Sequence, residues 1–261
     1  MKRVVLIGLA LAVLVTSSGH AAELSRPAPA YKAPPPPPIF TWTGFYLGGN
    51  FGGVWSHDTV RDDFGLGFVT GRSGAVLFGG GQAGYNYEFG GGFVLGVEAE
   101  WDGAANLGGA ANNHNNVGFS APAVGDTILV ASDNRWIATL AARFGWAIGN
   151  WLVYGKAGAG WIGNDGFTVT DVATGGQIGF GRFTASSLVL GAGFEWAIWN
   201  NWTIKLEYDY LGSNNRTFTI PVWAPFPPAF IGDTFTGHGN VQEVKVGFNY
   251  LFNWGAPVPG Y

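Results

Sequence analysis

FVLGVEAEWD, from Phe93 to Asp102, places charges at Glu98, Glu100 and Asp102 and puts Leu95, Val97, Ala99 and Trp101 at the alternate positions. WTIKLEYDY, from Trp202 to Tyr210, repeats the pattern with Lys205, Glu207 and Asp209 against Ile204, Leu206, Tyr208 and Tyr210. Successive side chains of a strand point to opposite faces, so each stretch has one charged face and one apolar face. In a soluble sheet the apolar face is the core. In a membrane barrel it faces lipid and the charges face the lumen.

The ends and the composition choose between these. Lys2 and Arg3 precede an apolar run from Val4 to Val15, and small residues follow at Gly19 and Ala21. This is the layout of a secretory signal peptide, residues 1–21, cut after Ala21 or Ala22. The apolar run is shorter than the roughly 20 residues a spanning helix needs. Removing Lys2 and Arg3 makes the chain more acidic than its formal charge of −4, which excludes nucleic acid as a partner. The chain has no cysteine, so an exported disulfide scaffold and a thiolate metal site are excluded. Charged residues make up only 11%, against a usual ~25%, while aromatics reach 16% and glycines number 44. With no long apolar run after the signal, this composition points to an exported transmembrane β-barrel. Residues 22–41 read as a periplasmic linker, extended as polyproline II over Pro34 to Pro38.

Eight strands are predicted, at about 43–55, 76–89, 93–102, 136–147, 151–161, 186–198, 202–211 and 242–252. The expected class is all-β, an eight-stranded antiparallel up-and-down transmembrane β-barrel over residues 42–252 with a tail at 253–261. Short turns at Gly90–Gly92, Ile148–Asn150 and Trp199–Asn201 alternate with long connections, as periplasmic turns and outer loops do. Every charge within these stretches falls on the inward parity: Glu88, Glu98, Glu100, Asp102, Arg143, Lys156, Glu195, Lys205, Glu207, Asp209, Glu243 and Lys245. Buried charges must pair, so a lumen filled by a salt-bridge network is expected, with a narrow ion path as the alternative. Trp42, Trp146, Trp151 and Trp202 fall near inner strand ends, and Trp55, Trp101, Trp136 and Trp161 near outer ends. They are read as two interfacial girdles.

Four segments carry a family resemblance: WTGFYLGGNFGG (42–53), GGQAGYNY (80–87), NWTIKLEY (201–208) and VKVGFNYLF (244–252). They resemble the alphaproteobacterial family of small outer-membrane β-barrel proteins, OmpA-like in architecture, as does the Ala-Glu-Leu opening before the Pro-rich spacer. The resemblance covers most of the mature chain. It implies an outer-membrane location, contact with outer-membrane lipids and lipopolysaccharide, and delivery by the barrel assembly machinery. It further implies a surface or porin-like role, and some members bind hemin. Phe248, Tyr250 and Phe252 stand where such proteins carry their assembly signal, although nine further residues follow Phe252 here.

Other motifs carry less. Gly79, Gly81 and Gly84, and again Gly158, Gly160 and Gly163, match GxGxxG, but strands follow them where a dinucleotide site needs a helix N-terminus. His57, His114 and His238 are candidates for hemin or metal capture in predicted outer loops, where lone histidines are more often solvated. Ser56, His57 and Asp58 are adjacent, and adjacent strand residues alternate faces, which argues against a catalytic relay. No cofactor and no enzymatic activity are expected. The expected state is a monomer with a structural, surface-exposed role in envelope integrity. A small-molecule or host ligand at the outer loops is a further alternative.

Overall fold

The computed structural model describes residues 40–62, 68–72, 76–104, 117–121, 126–171, 174–199, 201–222, 224, 231–232 and 234–252. The expected signal peptide, nearly all of the linker and the tail at 253–261 lie outside the described residues.

Twelve strands occur among the described residues: β1 (Gly44–Asp62), β2 (Phe68–Arg72), β3 (Val76–Glu88), β4 (Phe93–Ala104), β5 (Val117–Ala121), β6 (Asp126–Ile148), β7 (Trp151–Asp171), β8 (Gln177–Phe180), β9 (Phe183–Trp199), β10 (Trp202–Ser213), β11 (Arg216–Thr219) and β12 (Thr234–Phe252). Eight of them, β1, β3, β4, β6, β7, β9, β10 and β12, pair antiparallel in sequence order, and β12 returns to pair with β1. The closed eight-stranded antiparallel barrel is the one the alternation predicted.

Alternation also sets the two faces. Phe45, Leu47, Leu95, Val97, Leu140, Phe144, Val153, Leu188 and Leu190 are exposed on the outer wall. The residues between them, Tyr46, Val94, Glu98, Ala141, Arg143, Leu152, Tyr154 and Val189, are buried in the lumen. A soluble sheet would reverse this, because exposing so much contiguous apolar surface to water is unfavourable. The exposed band makes the outer wall the lipid face.

The strands are longer than predicted at their outer ends. β6 begins at Asp126 instead of about Trp136, β7 runs to Asp171, and β12 begins at Thr234. A membrane crossing uses only about 9–11 residues, so these strands continue above it. Two walls rise there. β1 pairs with β12 as far as Asp62 opposite Phe235, and β6 with β7 as far as Ile128 opposite Asp171. The short strands β2, β5, β8 and β11 flank them. Above the bilayer one face no longer needs to be apolar, so the period-2 signal fades and the sequence reads as loop.

Candidate functional site

The lumen is built in layers from the inner mouth outward. At the mouth, Glu88 captures the chain ahead of β1: its Oε2 accepts from Trp42 N at 2.9 Å and from Thr41 Oγ1 at 3.1 Å. Gly44, at φ +151°, then turns the chain into β1. Trp42 is thereby folded inward, 1% exposed, against Val94, Leu152, Tyr154 and Ala197, with Phe40 and Ala147 beside it. This corrects two expectations. Trp42 is a lumen residue and not part of the girdle, and Phe40 and Thr41 belong to the barrel mouth and not to the linker. Parity could not show it, because the segment before Gly44 is outside the ladder.

The middle layer is charged. Lys156 Nζ lies 2.6 Å from Glu100, 2.8 Å from Glu207, 2.9 Å from Asp209 and 3.6 Å from Glu98. Lys205 reaches Glu100 at 2.9 Å, Glu98 at 3.1 Å and Glu207 at 3.4 Å. Lys245 reaches Asp209 at 2.7 Å, Glu100 at 2.8 Å, Glu207 and Glu243 at 3.4 Å and Asp102 at 3.8 Å. Arg143 binds Glu195 at 2.8 Å and Glu98 at 3.5 Å, and stacks 3.9 Å above the Tyr154 ring. Of the candidate lumen charges, only Glu88 stands apart, at the mouth.

Neutral groups tie these charges together. Tyr154 donates its hydroxyl to Glu207 at 2.6 Å and Tyr46 donates to Glu98 at 2.9 Å. A string of amides runs from Asn50 to Gln82 at 2.9 Å, on to Asn249 at 2.7 Å and to Glu195 at 2.7 Å. Thr203 also donates to Glu195. Inward glycines make the room: a side chain at Gly247 would meet Lys205 Cε and Gln82 Nε2 at 2.8 Å, and one at Gly193 would meet Tyr154 Oη at 2.7 Å. Glu98, Glu100 and Glu207 bring carboxylate oxygens within 4.8 Å of one another, as a metal site would, but Lys156 and Lys205 already contact all three.

The outer layer is apolar: Ile137, Ile162, Ala185, Val189, Leu211 and Val241, with Val54 and Phe183 packed against it. It is the part of the lumen that sequence reasoning missed. The signal was present, since Leu211 continues the parity of Asp209 and Val241 that of Glu243, but only the charges were followed.

The remaining candidates fall on the outer wall. Trp101, Trp146, Trp151, Trp161 and Trp202 are exposed there. Trp151 stacks on Trp196 at 5.2 Å, and Trp202 meets Tyr250 edge-on at 5.2 Å. Trp55 and Trp136 share this face but are half-buried, and Trp136 lies over Gly163, where a side chain would collide with the indole. Phe248, Tyr250 and Phe252 line the outward face of β12, with Tyr250 and Phe252 in contact at 4.8 Å.

His57 and His238 are strand residues of β1 and β12, where outer loops were expected. His57 stands opposite Asn240 and His238 opposite Thr59, so both face outward two residues apart. His57 Nδ1 lies 3.4 Å from Gln242 Nε2. His114 lies outside the described residues. Ser56 is buried on the inward parity while His57 faces outward, so their side chains part. The two glycine motifs lie within β3 and β7.

Residues 42–229 match the family model of the OmpA-like transmembrane domain. The chain is 30% identical to the 31 kDa outer-membrane immunogenic protein of Brucella melitensis, over 97% of this chain and 100% of that one. It is 28% identical to the 22 kDa outer membrane protein of Rhizobium leguminosarum, over 71% of each. Among solved structures, the attachment invasion locus protein Ail of Yersinia pestis aligns at 15% identity and a TM-score of 0.34, over 80% of this chain and 99% of that one. The outer membrane protein OprG of Pseudomonas aeruginosa aligns at 11% identity and 0.42, over 80% and 97%.

Proposed function

The chain belongs to the OmpA-like transmembrane domain family of outer-membrane β-barrel proteins, and from that premise we propose a structural, surface-presenting role in envelope integrity, with a lumen that does not conduct. One observation carries this reading. The charged layer lies between two apolar clusters, that of Trp42 toward the inner mouth and that of Leu211 toward the outer end. An ion crossing the barrel would have to leave water and pass both apolar layers, at a prohibitive desolvation cost. Eight strands enclose a space that side chains can fill.

The walls raised by β1–β12 and β6–β7 support the surface half of the proposal, since they stand beyond the length a membrane crossing uses. The Brucella relatives are named immunogenic outer-membrane proteins, which supports exposure at the cell surface. The role rests on the lumen and walls as built and calls on no bound cofactor. Planar-bilayer recording tests it. Purified barrel is expected to give no stable conductance steps, while Trp42→Ala with Leu211→Ala, which thins both layers, gives brief openings. Stable ohmic steps from the unaltered protein, changed by Arg143→Ala or Glu195→Gln, would establish a narrow channel instead.

A further inference from the structure

Among the described residues, seven buried carboxylates share the charged layer with four buried cations: Glu98, Glu100, Asp102, Glu195, Glu207, Asp209 and Glu243 against Arg143, Lys156, Lys205 and Lys245. An uncompensated carboxylate in such a place is neutralised rather than left ionised. The surplus has an address. Asp102, Asp209 and Glu243 stand at the outer end of the charged layer, and each uses one oxygen toward a lysine. The other oxygens, Asp102 Oδ1, Asp209 Oδ1 and Glu243 Oε1, are buried with no hydrogen bond of good geometry, the Asn50 amide being within interaction range of Asp102, and the described ion pairs reach only their partner oxygens.

The surroundings of this trio point the same way. Asp209 and Glu243 are direct cross-strand partners, where two like charges repel. Asn50 and Asp102 flank Gly80 in one row across β1, β3 and β4, and Asn50 Oδ1 is likewise buried without a donor. Among the described residues, the buried side-chain atoms with no hydrogen-bond partner are all acceptor oxygens except Arg143 Nε and the Ser187 hydroxyl. The lumen is therefore short of donors at the same place where it is long in negative charge.

We infer that Asp102, Asp209 and Glu243 form a proton-binding site, a trio of acids held un-ionised in the folded barrel at neutral pH. One ligand, the proton, supplies both things missing: a compensating charge and an O–H donor. It also needs no cavity. Leu211 and Val241 lie directly beyond Asp209 and Glu243, and Ile137 stands opposite Asp102, so water cannot compensate the charge from outside. The groups facing the trio are Lys245 from β12, Lys156 from β7, Glu100 from β4, Glu207 from β10 and Asn50 from β1. Lys156 and Lys245 are shared among Glu100, Glu207 and the trio, so two ammonium groups face five acids and cannot compensate all of them. The inference rests on the closed-lumen reading above.

Infrared spectroscopy of the full, refolded barrel in detergent micelles tests it. At neutral pH the protein should show the carbonyl-stretch band of an un-ionised carboxylic acid, and the band should shift in D2O. Asp102→Asn, Asp209→Asn and Glu243→Gln should each remove part of it, and the triple variant all of it. Glu195→Gln, which alters a carboxylate paired to Arg143, should leave it unchanged. The single variants keep the test open if the triple variant does not fold. Absence of the band in the unaltered protein, or its survival in the triple variant, would overturn the site. A barrel that unfolds when sodium or calcium is dialysed away, in the unaltered protein but not in the triple variant, would assign the compensation to an inorganic cation and overturn the proton. A barrel silent in bilayers but lacking the band keeps its closed lumen and loses only this site.

Discussion

Two neighbouring layers of the same lumen are held by opposite physics. Lys245 and Asp209 sit in one, and Leu211 and Val241, two to four residues away on the same strands and the same parity, sit in the other. The apolar layer gains from leaving water and is indifferent to which apolar neighbour it meets. The charged layer loses heavily on leaving water and recovers that loss only through short, mutually satisfied contacts. The first layer is thus additive and forgiving, and the second is collective. A barrel can therefore be filled in two distinct ways. An inward position stabilises through buried area in one layer and through pairing in the other.

The largest expected effect breaks the collective layer at its most connected member. Lys245→Ala removes an ammonium that five acidic side chains share. Removing one partner of a buried ion pair costs about 3–5 kcal/mol, and this change should lie at or above that range. The readout is the urea midpoint of the heat-modifiable folded form, and a midpoint unchanged from the parent would show that the network is not cooperative. Leu211→Ala cuts the apolar layer instead, with an expected loss of about 2–5 kcal/mol from lost burial and the cavity left behind. Its signature is additivity with Leu152→Ala in the inner cluster, whereas Lys245→Ala combined with Glu100→Gln should cost less than the two changes summed. Thr217→Ala, in the wall above the membrane, removes a cross-strand hydroxyl pair with Thr236 at 3.3 Å. The loss there should be only about 0.2–1 kcal/mol, read from the same titration.

How much of this was legible in the chain depends on which physical rule a residue obeyed. Glu98, Glu100, Lys205 and Glu207 announced the lumen because a charge in an otherwise apolar strand has one tolerable side. Trp101 and Trp202 announced the lipid face by the same alternation. Trp42 misled, because an aromatic near a strand end reads as girdle unless the chain turns before the strand starts, and that turn depends on Glu88 from another hairpin. The outer strand extensions were illegible because a wall standing in water has no face that must be apolar. His57 and His238 were assigned to loops for that reason, and only the β1–β12 register sets them on one face.

Alternation along the chain was enough to set the closed eight-stranded class, the inward and outward residue of each membrane-height strand, and the presence of both charge signs inside. These follow from period-2 geometry against a slab of lipid, a local rule that each strand obeys alone. Three-dimensional packing was needed to set which cation meets which carboxylate, and to place the apolar clusters that flank the charged layer toward both ends. Those facts depend on shear and register between strands far apart in the chain, such as those carrying Glu98 and Lys205, and no single strand's pattern contains them.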